Sequence, residues 1–98
     1  MVINKKIEQD TLFFAPVGRL DTTTSSEFES ELEASLNDVK KLVLDFKELA
    51  YISSAGLRVI LKFQKLMSGK GSMKITGVNA MVMEVFEITG FADILTIE

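Results

Sequence analysis

The 98-residue sequence contains neither cysteine nor histidine, and these two absences exclude several kinds of chemistry. Without cysteine there is no disulfide, no thiolate nucleophile and no zinc site built on sulfur ligands. Without histidine there is no imidazole base for a serine nucleophile, no imidazole metal ligand and no side chain whose ordinary pKa lies near neutrality. These absences argue against hydrolytic chemistry, although enzymes can work without histidine. We expect a protein that is not an enzyme and that carries no metal or cofactor.

Long apolar segments and an excess of positive charge are also missing. No segment approaches the roughly 18 uninterrupted apolar residues of a membrane span, and the amino-terminal MVINKKIEQD lacks the apolar core of a signal peptide. The formal net charge of −3 argues against a general affinity for nucleic acid, whose phosphates bind basic surfaces. We therefore expect a cytoplasmic protein without a membrane or direct nucleic-acid partner.

The composition that remains is typical of a folded globular protein. Hydrophobic residues make up 47% of the chain and charged residues 26%, whereas disordered chains are poorer in apolar residues. A chain of this length buries about two-thirds of the surface that its unfolded state exposes. We expect one domain over residues 1–98, which folds unaided and is a monomer that forms heterodimers.

Apolar segments typical of strands recur along the chain. VINKKIEQD and TLFFAPVGRL predict two strands joined by a turn at Gln9-Asp10, and KKLVLDF and SMKITG predict two buried strands. Pro16 has no N–H to donate, which favours an edge or the exit of the second strand. KELAYI is expected to be a loop, and ADILTIE a terminal turn with an edge strand at most.

Three segments with helical periodicity alternate with these strands. The first is expected to open with a capping box formed by Thr24 and Glu27, and its core-facing stripe is Phe28, Leu32 and Leu36. The second is SAGLRVILKFQKLMSGKG, and the third begins at Asn79 as an N-cap and stops at Gly90. Strands that alternate with helices predict an α/β domain with helices packed on a mixed sheet.

The second helix has two distinct faces when its residues are placed about 100° apart around the helix axis. One sector is polar and contains Ser54, Arg58, Lys62 and Lys65. The opposite sector faces the core and contains Gly56, Val59, Ile60, Phe63 and Met67. Leu57 and Leu61 lie between the sectors, beside Ser54. This flank is either a docking surface or a surface that another helix of the domain covers.

The two serines at the start of this helix, in AYISSAGLRVIL, have three candidate roles. Either serine can cap the helix by accepting from a free backbone N–H. A nucleophile is disfavoured, because Ile52 replaces the first glycine of the hydrolase elbow and no histidine is present. A phosphate on Ser54 would lie at the positive end of the helix, one turn from Arg58. The residues permit both capping and phosphorylation.

Three longer segments resemble a known family in order and spacing. GRLDTTTSSEF, KLVLDFKELAYISSAGLRVIL and MKITGVN…VFEITGF are similar to the STAS domain, specifically to the stand-alone bacterial anti-sigma factor antagonists of the sporulation and general-stress type. The resemblance covers nearly the whole chain. It implies a four- to five-stranded mixed sheet with helices packed mainly on one side, and no catalytic activity.

The resemblance also implies a phosphorylation site. Counting back from Gly56-Leu57, the acceptor serine of the family falls on Ser54, and Ser53 stands where the family often has aspartate, so Ser53 is an alternative acceptor. Asp21 matches the acidic residue of the loop after the second strand, and Asp45 the one that ends the third strand. The implied kinase is an anti-sigma factor of the histidine-kinase-like superfamily, and the implied phosphatase is of the PP2C type.

The surface implied for partner binding combines the Asp21 loop, the serine loop and the flank of the second helix. Its residues are Asp21, Thr22, Ile52, Ser53, Ser54, Ala55, Gly56, Leu57, Arg58 and Leu61. The unphosphorylated protein would bind the anti-sigma factor there, and a phosphate on Ser54 would prevent binding. The alternative is a STAS subunit of a transport complex, which binds a permease or ATPase without phosphorylation. Binding of a small ligand is a third possibility.

Overall fold

A computed structural model describes all residues, 1–98, and contains five strands and three α-helices. In chain order these are β1 (Val2–Glu8), β2 (Thr11–Leu20), α1 (Ser25–Ser35), β3 (Lys41–Asp45), β4 (Leu49–Ile52), α2 (Ser54–Ser68), β5 (Ser72–Thr76) and α3 (Ala80–Ile88), followed by a short 3-10 turn, Phe91–Asp93. The predicted alternation of strands and helices, and the α/β class, are confirmed. No helix of the structure has the length and apolar character required to span a membrane.

The strands form one mixed sheet in the order β1-β2-β3-β5. β1 is antiparallel to β2, with the predicted turn between Glu8 and Thr11, whereas β3 and β5 run parallel to β2. β2 has two successive neighbours on its other side: residues 11–14 pair with β3, and residues 18–20 pair with β4. This arrangement places the ends of β2 and β4 side by side.

Two expectations about strands are wrong. KELAYI is not a loop throughout, because Leu49–Ile52 forms β4; the strand is only four residues long and depends on pairing with the distant end of β2. Pro16 lies within β2, an interior strand, and not at an edge or exit. It lies opposite Ile3 of β1, and on the other side of β2 it falls between Phe14, which pairs with β3, and Gly18, which pairs with β4. Its missing N–H therefore interrupts neither of the two ladders on that side.

The core lies between the sheet and the helices. Alternate strand residues such as Leu12, Phe14, Leu42 and Leu44 are fully or almost fully buried, and the ring of Phe14 packs edge-on against Phe28 of α1 at a centroid distance of 5.4 Å. The residues predicted to face the core from α1 and α2 are all buried: Phe28, Leu32, Leu36, Gly56, Val59, Ile60, Phe63 and Met67. The helical periodicity therefore identified the buried face of both helices correctly.

The third helix and the carboxyl terminus complete the structure. Asn79 caps α3, since its side-chain oxygen accepts from the N–H of Val82 at 2.8 Å, and Gly90 ends it in the left-handed conformation at φ 81°. The expected terminal edge strand is only a parallel bridge between Ile97 and Ile75. Both predicted boundaries of α3 are confirmed.

Candidate functional site

The candidate site lies where the carboxyl ends of β2 and β4 meet. Leu20 and Ile52, the last residues of these parallel strands, are paired in register, and the N–H of Ser53 donates to the carbonyl of Leu20 at 2.9 Å. Asp21 directly follows Leu20, and Ser53 directly follows Ile52. The structure therefore brings the Asp21 loop and the serine loop together.

Asp21 organises the loop that leads from β2 into α1. Its Oδ1 accepts from the N–H groups of Thr23 and Thr24, both at 3.0 Å. The Thr24 hydroxyl donates to the carbonyl of Arg19 at 2.7 Å and makes no capping bond to α1, so the predicted capping box of Thr24 with Glu27 is wrong. The carboxylate of Asp21, three residues earlier, instead binds N–H groups of the turn that precedes α1.

These hydrogen bonds stabilise the ionised form of Asp21. The pKa of the Asp21 carboxyl lies below its ordinary value of 3.8, chiefly because the N–H of Thr24 donates to it, against an opposing effect of desolvation. The N–H of Thr23 and the Arg19 guanidinium, whose Nε lies 3.9 Å from Asp21 Oδ2, lower the pKa further. At neutral pH the site therefore contains a carboxylate held in one orientation.

The two serines have different roles in the helix start. Ser53 is the N-cap of α2, with extended backbone angles, and its hydroxyl oxygen accepts from the N–H of Gly56 at 3.4 Å. Ser54 is the first helical residue; its side chain is exposed and makes no hydrogen bond within the protein. Capping therefore occupies Ser53 and leaves the hydroxyl of Ser54 free.

Gly56 allows the helix start to lie directly on the ends of the two strands. It is buried, and a Cβ at this position would lie 2.9 Å from Cγ1 of Ile52 and 3.0 Å from the carbonyl oxygen of Leu20. Carbon atoms do not approach this closely without a shift in structure. The glycine is needed here for close packing, and through it α2 is placed against both strands.

Not every residue predicted for the surface is exposed. Ile52, Gly56 and Leu57 are buried, and Leu57 belongs to the hydrophobic core. Of the two alternatives for the Leu57-Leu61 flank, a docking surface is therefore wrong for Leu57, which the domain itself covers. The apolar arc of α2 is wide because the helix packs on the domain over more than one face. The residues that remain fully or partly exposed are Asp21, Thr22, Ser53, Ser54, Ala55, Arg58 and Leu61.

Two further residues beside the site were not identified from the sequence. The Arg19 guanidinium lies over the ring of Tyr51, 4.2 Å from its centroid, and Arg19 also contacts Asp21. The two residues are partners in the ladder between β2 and β4. Because β4 was not predicted, nothing in the sequence pointed to this pairing.

Asp45, the other acidic residue singled out, organises a neighbouring turn. Its Oδ1 accepts from the N–H of Lys47 at 3.0 Å, just after β3 ends. The side chain therefore orders the connection between β3 and β4. No group of three or more potential metal-ligating side chains comes together in the structure.

A sequence model of the STAS domain matches residues 2–98, nearly the whole chain. The chain belongs to the STAS domain family. Over 82 residues, this STAS domain is 38% identical to BtrV of Bordetella bronchiseptica, which is named as an anti-sigma factor antagonist, covering 82% of this chain and 71% of BtrV. It is also 27% identical, over 96 residues, to the anti-sigma-B factor antagonist of Listeria monocytogenes, covering 96% and 84% of the two chains.

Solved structures show the same fold. The anti-sigma factor antagonist SpoIIAA in its unphosphorylated form superposes with a TM-score of 0.83 at 15% identity, covering 99% of this chain and 88% of SpoIIAA. Bacillus SpoIIAA in its phosphorylated form superposes with a TM-score of 0.76 at 14% identity, covering 99% and 91%. The predicted mixed sheet with helices mainly on one side is therefore the STAS fold.

We expect Asp21→Asn to destabilise this STAS domain at neutral pH and to have little effect in acid. Because the folded state lowers the pKa of Asp21, ionisation contributes stability above the ordinary value of 3.8, and this contribution is lost as the pH falls through the lower folded value. Urea unfolding midpoints of both proteins, measured from neutral pH to below 3.8, test this. Asp93→Asn, at an exposed carboxylate without a hydrogen bond, is the control. If the midpoints of the unmodified protein and Asp21→Asn differ as much in acid as at neutral pH, the expectation is wrong.

Alanine substitutions at Ser53 and Ser54 should have different effects on the stability of the protein. Ser53→Ala removes the N-cap of α2 and should lower the free energy of unfolding by about 1 kcal/mol or slightly less, since the bond is long. Ser54→Ala places the best helix former at an exposed first-turn position and should leave stability unchanged or slightly higher. Urea denaturation measures both. A larger loss for Ser54→Ala than for Ser53→Ala would show that the capping assignment is wrong.

Proposed function

We propose that this STAS domain is an anti-sigma factor antagonist that works as a phosphorylation-controlled partner switch in the cytoplasm. The unphosphorylated protein binds an anti-sigma factor that is itself a serine kinase of the histidine-kinase-like superfamily, and binding releases the sigma factor. The kinase phosphorylates Ser54 and the complex dissociates. A PP2C-type phosphatase restores the unphosphorylated form, and this protein performs no catalysis itself.

The observation that carries this proposal is the exposed, unbonded hydroxyl of Ser54 at the amino end of α2. A phosphate there would meet backbone N–H groups that the first helical turn leaves free, and the positive end of the helix dipole. The first turn of α2 contains no acidic side chain to repel it. Arg58, one turn further on and exposed, is placed to pair with the phosphate.

The geometry favours Ser54 over Ser53 as the acceptor. The hydroxyl of Ser53 is half-buried and holds the N–H of Gly56, so its modification would disturb the cap of a 15-residue helix. The hydroxyl of Ser54 has no structural partner to lose. A kinase can therefore modify Ser54 while the fold stays intact.

The similar proteins support the same function. BtrV and the Listeria protein are both named as antagonists of anti-sigma factors. SpoIIAA has been solved in unphosphorylated and phosphorylated forms, so a protein with this fold accepts a phosphate and remains folded. These likenesses make a phosphorylation switch the best-supported function for this chain.

The switch itself would act through charge. A phosphoserine carries about −1.5 to −2 charges at neutral pH, and here it would lie in the middle of the exposed residues assigned to partner binding. Taking such a charge out of water in the complex costs several kcal/mol, a penalty that the attraction of a nearby cation such as Arg58 does not fully offset. Binding is therefore lost without a change of fold.

Mass spectrometry after incubation with ATP and the purified anti-sigma factor of the same organism tests the proposal. We expect one phosphate, located on Ser54, which persists in Ser53→Ala and disappears in Ser54→Ala. Modification of neither serine would refute the switch. Co-purification from native cells of a permease or transport ATPase, with Ser54 unmodified, would instead support the transport-complex alternative.

A further inference from the structure

The chain contains only two arginines, Arg19 and Arg58, and both lie beside the serine loop. Arg19 is two residues before Asp21 on β2, and Arg58 is four residues after Ser54 on α2. Neither guanidinium group hydrogen-bonds within the protein. By contrast, several lysine amino groups are bound to carboxylates or a carbonyl, namely those of Lys5, Lys6, Lys62, Lys70 and Lys74. Arg58 has no ion pair, and Arg19 has only a long contact of 3.9 Å with Asp21. In a chain of net charge −3, two exposed guanidinium groups without a close carboxylate at one edge favour an anionic partner.

Arg19 is held in place although it is exposed. Its guanidinium carbon lies 4.2 Å from the centroid of the Tyr51 ring, and its Nε lies 3.9 Å from Oδ2 of Asp21. The side chain nevertheless keeps 62% of its surface exposed. Stacking on an aromatic face orients the planar group and leaves its N–H donors at the edge available. A partner that binds there therefore meets a preorganised cation.

This pair is continuous with the candidate site. The paired residues Arg19 and Tyr51 come immediately before the paired residues Leu20 and Ile52, which end the two strands. Each residue of a strand advances by about 3.3 Å, so the pair lies within about 7 Å, along the strands, of the residues that begin the Asp21 and serine loops. The contact between Arg19 and Asp21 shows that their side chains share one surface.

We propose that Arg19, stacked on Tyr51, is an anchoring contact of the partner-binding surface and binds a carboxylate of the partner protein. This inference rests on the proposed function and adds a residue pair to its binding site. A guanidinium group presents two parallel N–H donors to a carboxylate, and arginine and tyrosine are among the residues that contribute most to binding at interfaces. The partner surface then extends from α2 across Asp21 to β4.

Calorimetric titration of the unphosphorylated full chain with the purified anti-sigma factor of the same organism tests this. We expect Arg19→Gln to weaken binding about tenfold or more, since loss of an interfacial anchor typically costs over 1.4 kcal/mol. Arg19→Lys keeps the charge but not the planar stack, and Tyr51→Leu removes the stack alone, so both should show intermediate losses. Lys74→Gln, at an exposed cation two strands away that pairs with Glu98, should bind normally.

The outcomes separate this inference from the function on which it rests. Normal affinity of Arg19→Gln, while Ser54→Asp abolishes binding, would overturn the inference and leave the switch intact. If the unmodified chain does not bind the anti-sigma factor, the proposed function fails and the inference fails with it. Unfolding midpoints of all variants show whether a loss of binding reflects a loss of fold. If Arg19→Gln is unfolded, the affinity of Arg19→Lys, the more conservative variant, tests the inference: normal affinity overturns it and weaker binding supports it.

Discussion

Replacement of Ser54 by aspartate is expected to abolish binding of the anti-sigma factor, whereas Ser54→Ala should bind as tightly as the unmodified protein. The exposed hydroxyl of Ser54 lies among the residues proposed to contact the partner, so a carboxylate there would be desolvated in the proposed complex. A buried charge whose pairing is incomplete costs about 3–5 kcal/mol, which weakens binding by about two to nearly four orders of magnitude. Calorimetric titration of both variants measures the difference.

A matched control places the same charge elsewhere on the protein. Ser72 is exposed at the amino end of β5, at the opposite edge of the sheet from the carboxyl ends of β2 and β4. Ser72→Asp should therefore leave binding unchanged. Equal affinities of Ser54→Asp and Ser54→Ala would rule out an electrostatic mechanism for the switch.

The largest effect on stability is expected from Gly71→Ala. A Cβ at Gly71 would lie 1.7 Å from the carbonyl oxygen of Lys40, a distance that backbone atoms cannot accommodate without moving. The same carbonyl accepts from the N–H of Ser72 at 2.9 Å, so any shift separates the first residues of β3 and β5. We expect a loss of about 3 kcal/mol or more, and a melting temperature lower by at least about 12 °C in a domain of this size. Thermal unfolding followed by circular dichroism measures both.

Gly69→Ala is the matched control, two residues earlier. Gly69 has right-handed helical backbone angles, and a Cβ there would meet only the carbonyl oxygen of Leu66 at an ordinary 3.6 Å. The substitution should be neutral or stabilise the protein by about 0.4–1 kcal/mol, because alanine restricts the unfolded chain. Similar melting temperatures for the two variants would contradict the packing at Gly71.

Features that depend on residues close together in the chain were predicted correctly from the sequence. The helices follow from apolar residues at helical spacing, and the polar sector of α2, which includes Arg58 and Lys62, is exposed as predicted. Asn79 caps α3 as predicted, because an N-cap needs only the next helical turn. The identity of the family follows from motifs of the same local kind.

Features that depend on pairing between distant segments were missed or wrong. β4 becomes a strand only because β2 extends beyond β3 and offers a second partner, and the same exchange of partners accommodates Pro16. Leu57 is buried because neighbouring elements cover more of α2 than one face. The Arg19–Tyr51 pair exists only in the register between β2 and β4.

The serines show this division most directly. By itself, the sequence determined that a helix begins at Ser53-Ser54 and, through the family motif, that Ser54 is the expected acceptor. In the structure the hydroxyl of Ser53 caps the helix and that of Ser54 stays free. Only the tertiary structure decided that this helix start lies against the end of β2, next to the loop that Asp21 begins. The physical reason is that helix periodicity is encoded locally, whereas the neighbours of a side chain depend on how distant strands pair.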